Sequence, residues 1–151
     1  MSEEIASRPT PDTRNAGARY WAAAANGVLL LPKCLECGQT FWHPRPRCPH
    51  CGSARVDWIE SAGRGAIHTF TIVRETNEPY FRMHVPYAVA MIDLDEGVRV
   101  MSNVVDTPLE TVCIGMRVEV SFDASTTALQ HGPGAAAAAE MAIPLFRSSR
   151  T

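Results

Sequence analysis

Cys34-Leu35-Glu36-Cys37-Gly38 and, with ten residues between Cys37 and Cys48, Cys48-Pro49-His50-Cys51-Gly52 decide how the first part of this chain folds. Each Cys-x2-Cys pair is followed by glycine, which accepts the positive φ by which a knuckle turns its amides toward the sulfurs. Two such knuckles face each other around one ion. Four thiolates at roughly 2.3 Å complete the tetrahedron of a structural zinc site and leave no position open for substrate or water. The expected metal ligands are therefore Cys34, Cys37, Cys48 and Cys51, and the expected metal is a structural Zn2+. His43 and His50 lie in or beside the same stretch, but a filled tetrahedron leaves them as neighbours of the site or as surface residues.

Outward from the knuckles, residues 28–31 read as a short strand entering the first, 41–43 as the crossing between them, and 55–61 as the exit. Some 30 residues cannot bury an adequate core unaided. A zinc ion supplies what is missing, typically about 10–16 kcal/mol of apparent binding energy. Upstream, residues 1–9 are polar and read as a loose tail. Thr10-Pro11-Asp12 resembles a helix start, with proline and an acid in the first turn, and the helix is expected to reach Ala25 with Gly27 as its cap. Ala16, Tyr20 and Ala24 share one narrow face beside Trp21, so this helix has to lie against something larger.

Downstream the pattern is β. Residues 66–73 are rich in Thr, Ile, Val and Phe. A polar, proline-containing loop, 74–85, follows. Residues 87–94, a turn at Asp95-Glu96-Gly97, and residues 98–105 make a hairpin. Residues 116–122 alternate cleanly, and a last short strand falls at 143–146. The expected fold class is mainly β: an N-terminal helix, a zinc ribbon and a five-stranded barrel of the OB type. The expected division is 1–27 for tail and helix, 28–60 for the ribbon and 61–151 for the barrel. Residues 132–140 hold five consecutive alanines and read as a low-complexity connection.

The bulk numbers are those of a globular chain: 151 residues, 46% hydrophobic, 20% charged and a net charge of −2. Of 14 basic residues only Lys33 is lysine. No run approaches the roughly 18 apolar residues of a membrane span, and MSEEIASRPT lacks a signal-peptide pattern. Cysteines paired as Cys-x2-Cys without such a signal point to metal in a reducing cytoplasm.

Taken in order, these parts resemble the bacterial and archaeal family of acyl-CoA-associated OB-fold proteins, a domain-of-unknown-function group. The matching residues are Tyr20-Trp21, Gly27-Val28-Leu29-Leu30-Leu31-Pro32-Lys33-Cys34, Pro44-Arg45, Cys48-Pro49-His50-Cys51-Gly52-Ser53 and Trp58. They continue through Ser61-Ala62-Gly63-Arg64-Gly65, Pro86-Tyr87-Ala88-Val89-Ala90, Asp95-Glu96-Gly97 and Gly115-Met116-Arg117-Val118. The likeness covers residues 13–123 with a weaker Pro144-Leu145-Phe146, and the alanine-rich stretch departs from it. It implies a rubredoxin-like ribbon joined to an OB-fold, in a non-catalytic subunit of a thiolase-superfamily enzyme. Partners of such subunits include acetoacetyl-CoA thiolase with hydroxymethylglutaryl-CoA synthase, acyltransferases, and lipid-transfer-type thiolases or retro-aldolases acting on steroid or aromatic acyl-CoA. The implied role is to stabilise a thiolase-like partner and help shape its acyl-CoA channel, in a hetero-oligomer of two large and two small chains.

The alternatives are a free-standing module that binds acyl-CoA or single-stranded nucleic acid, and an iron-loaded, rubredoxin-like electron carrier. Nucleic-acid OB-folds need aromatic platforms and a positive groove. Here residues 87–105 offer one aromatic, Tyr87, and residues 59–151 carry 7 basic against 11 acidic side chains. No nucleic-acid partner is expected. Residues 88–92 are apolar at every position, so the outer face of that strand calls for cover from the chain's own helix or ribbon, or from a partner. Tyr80-Phe81 are candidate anchors for such a partner, or a loop packing on itself. No catalytic residue is expected. Cys113, between Val112 and Ile114, reads as a buried inert thiol. His68 and His84 read as structural, and Asp93, Asp95 and Glu96 as a solvated turn. There is no Gly-rich phosphate loop, GxSxG or HExxH.

Overall fold

A computed structural model describes residues 8–124 and 141–150. The chain forms helix α1 (Ala18–Ala25), then strands β1 (Leu30–Cys34) and β2 (Val56–Glu60) as an antiparallel pair spanning the knuckles. Strands β3 (Arg64–Val73), β4 (Tyr87–Leu94), β5 (Arg99–Val104), β6 (Arg117–Asp123) and β7 (Ile143–Ser148) close into a barrel in the order β3-β4-β5-β7-β6. All pairings in the barrel are antiparallel except β5 with β7. The expected architecture is present: helix, ribbon and closed five-stranded barrel.

The helix is shorter than the sequence promises. Asp12 Oδ1 accepts from the Arg14 amide at 2.9 Å, and Asn15 Oδ1 accepts from the Gly17 amide at 2.9 Å. These local side-chain bonds compete with helical ones, so the first turn forms only at Ala18. The other end is as expected. The amide of Gly27 (φ 75°) bonds to Ala24 O and that of Val28 to Ala23 O, the paired bonds of a glycine-capped helix terminus.

Two further expectations need correction. The loop 74–85 contains a one-turn helix, α2 (Pro79–Arg82), started by Glu78, whose carboxylate accepts from the Phe81 amide at 2.8 Å. Arg8 is not part of a loose tail: it pairs with Asp123 at 3.0 Å with its side chain only 10% exposed. Residues 1–7 of the expected tail and the alanine-rich 132–140 lie outside the described residues.

Ribbon and barrel share one core. Tyr20, Leu29 and Leu31 are buried in the same cluster as Ile67, Ala88, Ala90, Ile92, Val100, Val118 and Phe146. Trp21, Trp42 and Trp58 pack against its edge. The narrow helical face thus finds its larger surface through Tyr20 and Ala24, while Ala16 stays exposed. Along β4 every second residue from Ala88 to Leu94 is buried, and its other face is half-buried.

Candidate metal centre

The knuckles bring Cys34, Cys37, Cys48 and Cys51 together with all four sulfurs within 4.8 Å of one another. Cys34 Sγ lies 3.6 Å from Cys51 Sγ, and Cys37 Sγ lies 3.7 Å from Cys48 Sγ. These are not disulfide distances, which are about 2.05 Å. Sulfurs at the corners of a tetrahedron with metal bonds of roughly 2.3 Å stand about 3.8 Å apart, so the cluster has the right size for a metal ion. Gly38 and Gly52 take φ of 75° and 77°, and their amides return to Cys34 O and Cys48 O at 3.0 and 2.9 Å. That turn aims the amides of Cys37 and His50 at the sulfurs of Cys34 and Cys48, at 3.5 and 3.4 Å. The Cys37 amide draws the Cys34 thiol down to about 7, whereas burial and the neighbouring thiols push Cys37 and Cys51 up, so an incoming ion has to displace protons from those two.

Cys34 and Cys48 are buried with Phe41, while Cys37 and Cys51 face solvent. The rings of His43 and His50 are on the surface, and His50 approaches the site only through its amide. Arg55 bridges the knuckles to Glu36 at 2.7 Å, but both side chains are more than half exposed, so the pair adds little stability.

Elsewhere the structure redistributes the sequence candidates. Cys113 is exposed, as is Ile114 at 69%. The pair sits in the turn before β6 and Val112 alone takes the buried position, so apolar neighbours do not carry the thiol inward. His68 and His84 have separate partners. His68 Nδ1 lies 3.3 Å from Asp93 and 3.1 Å from Arg99, whereas His84 Nδ1 bonds to Tyr80 O at 2.8 Å. The acidic turn is tied down and not simply solvated. Arg99 grips Asp93 at 2.6 and 3.1 Å, Arg117 grips Asp95 at 3.0 and 2.9 Å, and Glu96 Oε1 accepts from the Ala62 amide at 2.7 Å. Each arginine holds its aspartate below the ordinary carboxylate range.

On the outer barrel surface Val89 stands opposite Asn103, Met91 opposite Met101 and Asp93 opposite Arg99. The cationic member of this row is already neutralised by Asp93. A cleft of about 390 Å³ runs from Val89 and Met101 to Trp21, Trp42, Phe81 and Leu145. Helix and ribbon thus face β4 across an open cleft. Phe81 packs on Tyr87 with ring centroids 5.5 Å apart, and the Arg8 guanidinium lies over the Phe81 ring at 5.7 Å. Sequence reading missed Arg8, Trp42 and Met101 here, because strand pairing and a 115-residue ion pair bring them together.

Among the described residues, no helix is long and apolar enough to cross a membrane. Residues 21–57 match the family described as ChsH2, rubredoxin-like zinc ribbon domain, and residues 58–123 match ChsH2, C-terminal OB-fold domain. A DUF35 domain-containing scaffold protein of Methanothermobacter thermautotrophicus is 35% identical over 62% of this chain and 71% of its own length. A probable enoyl-CoA hydratase alpha subunit of Thermomonospora curvata is 32% identical over 93% of this chain, which spans only 40% of that protein. The solved structure titled Ltp2-ChsH2(DUF35) aldolase contains a chain that is 30% identical, with a TM-score of 0.72, covering 93% of this chain and 98% of that one.

Proposed function

Because this chain belongs to the DUF35 family, whose zinc ribbon and OB-fold it carries in order, we propose that it is an accessory subunit of a thiolase-superfamily enzyme acting on acyl-CoA. The observation that carries this reading is the fit over 98% of a chain solved as part of an aldolase with Ltp2. Relatives named as scaffolds and as a subunit of an enoyl-CoA hydratase support the same assignment. In this reading the chain supplies no catalytic group and helps form the acyl-CoA channel. Cys34, Cys37, Cys48 and Cys51 hold a structural zinc that keeps the ribbon folded against the barrel. The units divide at residues 27 and 60, the complex pairs two large with two small chains, and it works in the cytoplasm.

Co-expression with a candidate thiolase-superfamily partner from the same genome tests the proposal. The two should elute together from size exclusion, and the partner should gain solubility or activity toward acyl-CoA. Separate elution with an unchanged partner overturns it. Calorimetry of the isolated chain with CoA esters and single-stranded DNA should give no heat of binding, which a free-standing module would produce.

A further inference from the structure

We propose that the free edge of β3, from Phe70 to Val73, takes an added strand from the partner enzyme, so that the barrel sheet continues across the subunit boundary. The proposal rests on the accessory-subunit reading and adds the surface and the kind of segment that fills it.

β3 is paired along both edges only in its first half. Arg64, Gly65 and Ala66 pair with β6, the Ile67 carbonyl accepts from the Gly115 amide at 2.8 Å, and the Ile67 amide donates to Met116 O at 3.0 Å. Beyond Ile67 the pairing goes on with β4 alone, as far as Val73 with Tyr87. In an antiparallel ladder, alternate residues bond to opposite neighbours. The Asp95 amide donates to Arg64 O and the Leu94 amide to Val98 O, so odd-numbered residues of β4 bond to β3 and even-numbered ones to β5. Met91, Val89 and Tyr87 therefore bond to Thr69, Thr71 and Val73, and the amides and carbonyls of Phe70 and Ile72 point out from the edge. No strand among the described residues pairs with them.

The bulge at His68 moves the inward set of β3 from Gly65 and Ile67 to Phe70 and Ile72. These two pack against the shared core yet stay only half-buried, while Thr69 and Thr71 face solvent. Native proteins commonly blunt a free edge with charge or proline. Residues 69–73, Thr-Phe-Thr-Ile-Val, contain neither. Amides and carbonyls repeating at every second residue are matched by extended main chain, the mode by which a sheet edge captures a strand. The side chains set the pattern of that strand. Its residues opposite Phe70 and Ile72 share their face and are apolar, and those opposite Thr69 and Thr71 are polar. Five residues span about 17 Å, and a strand pair of that length alone falls short of the roughly 1,000 Å² of a specific interface. The occupant is therefore a strand held on a larger protein, whose surface around it supplies the remaining contact.

The test uses the co-expressed pair. Ile72→Pro removes one donor of the free edge and leaves the bonds to β4, which run through Thr71 and Val73; proline is tolerated at such edges. Ile72→Ala removes the side chain and keeps the donor. With zinc content and circular dichroism confirming the fold, Ile72→Pro should bind the partner about tenfold more weakly than Ile72→Ala. A folded Ile72→Pro chain that binds as Ile72→Ala does overturns the added strand and leaves the accessory-subunit reading intact. A second measurement needs no variant. The amides of Phe70 and Ile72 should exchange with solvent quickly in the isolated parent chain and about a hundredfold more slowly in the complex. Amides that stay fast in an assembled complex, or are already slow in the isolated monomer, overturn the edge as the docking site. Parent chain that fails to bind overturns both readings. Isolated parent chain that dimerises, with these amides protected in the dimer and the dimer lost in Ile72→Pro, assigns the edge to a second copy and also overturns the proposal.

Discussion

His68 illustrates how much one residue's surroundings depend on register. The pairing of β3 with β4 slips between Ile67 and Thr69, so His68 is an extra residue on the bulged strand. Bulges re-aim side chains, and here His68 and Thr69 are both exposed in succession. The imidazole thereby joins Asp93 and Arg99, which stand opposite each other on β4 and β5. Asp93 is held below its ordinary value of 3.8, first by its hydrogen bonds from Arg99. A carboxyl whose folded value is depressed stabilises the native state fully above the unfolded value, and that contribution disappears as pH falls through the folded value. Asp93→Asn should therefore lower the urea midpoint at neutral pH, and the gap to the parent chain should close as pH drops below about 4. A gap that persists unchanged to about pH 2 would show that packing, and not ionisation, is what the substitution removes.

At the scale of elements the ribbon is the informative case. Its two strands meet over five residue pairs, from Leu30 with Glu60 to Cys34 with Val56. So small a sheet is marginal without a cross-link. The metal closes it, and its binding free energy is folding free energy. Cys51→Ser should abolish stoichiometric zinc, with tryptophan emission shifting to the red. His43→Ala and His50→Ala should keep one zinc per chain, since both rings face solvent. Loss of zinc from either histidine variant would overturn the four-sulfur site. The knuckles were legible in the sequence because Cys-x2-Cys-Gly specifies both chemistry and turn within five residues, but the entry strand, expected at 28–31, runs Leu30–Cys34, since its pairing with β2 carries it into the first cysteine. The hairpin of β4 and β5 was legible for the same reason, since Asp95-Glu96-Gly97 sits between two apolar runs. What local pattern could not reveal was anything fixed by distant partners. The late start of α1 depends on Asp12 and Asn15 bonding to their own backbone. The position of Cys113 depends on which of three apolar-looking neighbours turns inward. The cleft needs Arg8, Trp42 and Met101 to be brought together by the closed barrel.

For the molecule as a whole, the decisive fact is that zinc ribbon and barrel are not separately cored. Leu29 and Leu31 bracket the entry to β1, yet they are buried with Ile67, Val118 and Phe146 of the barrel. Arg19 reaches Asp57 at 3.7 Å, and the Ala62 amide, just past β2, bonds to Glu96 Oε1 in the β4–β5 turn at 2.7 Å, so the helix is tied to the ribbon and the ribbon's exit to the barrel. Neither part can open without exposing apolar surface of the other, which is the condition for cooperative unfolding. The sequence provides the probes to test this. All three tryptophans, Trp21, Trp42 and Trp58, lie in the helix and ribbon, whereas most strand residues, and so most of the far-ultraviolet circular dichroism, belong to the barrel. Thermal unfolding of the zinc-loaded chain followed by the two signals should give coincident midpoints. Cys51→Ser should lower both midpoints together, because loosening the ribbon strips Leu29 and Leu31 from the shared core. A tryptophan transition that precedes the dichroism transition in the zinc-loaded protein would make the ribbon an independent unit resting on a self-sufficient barrel.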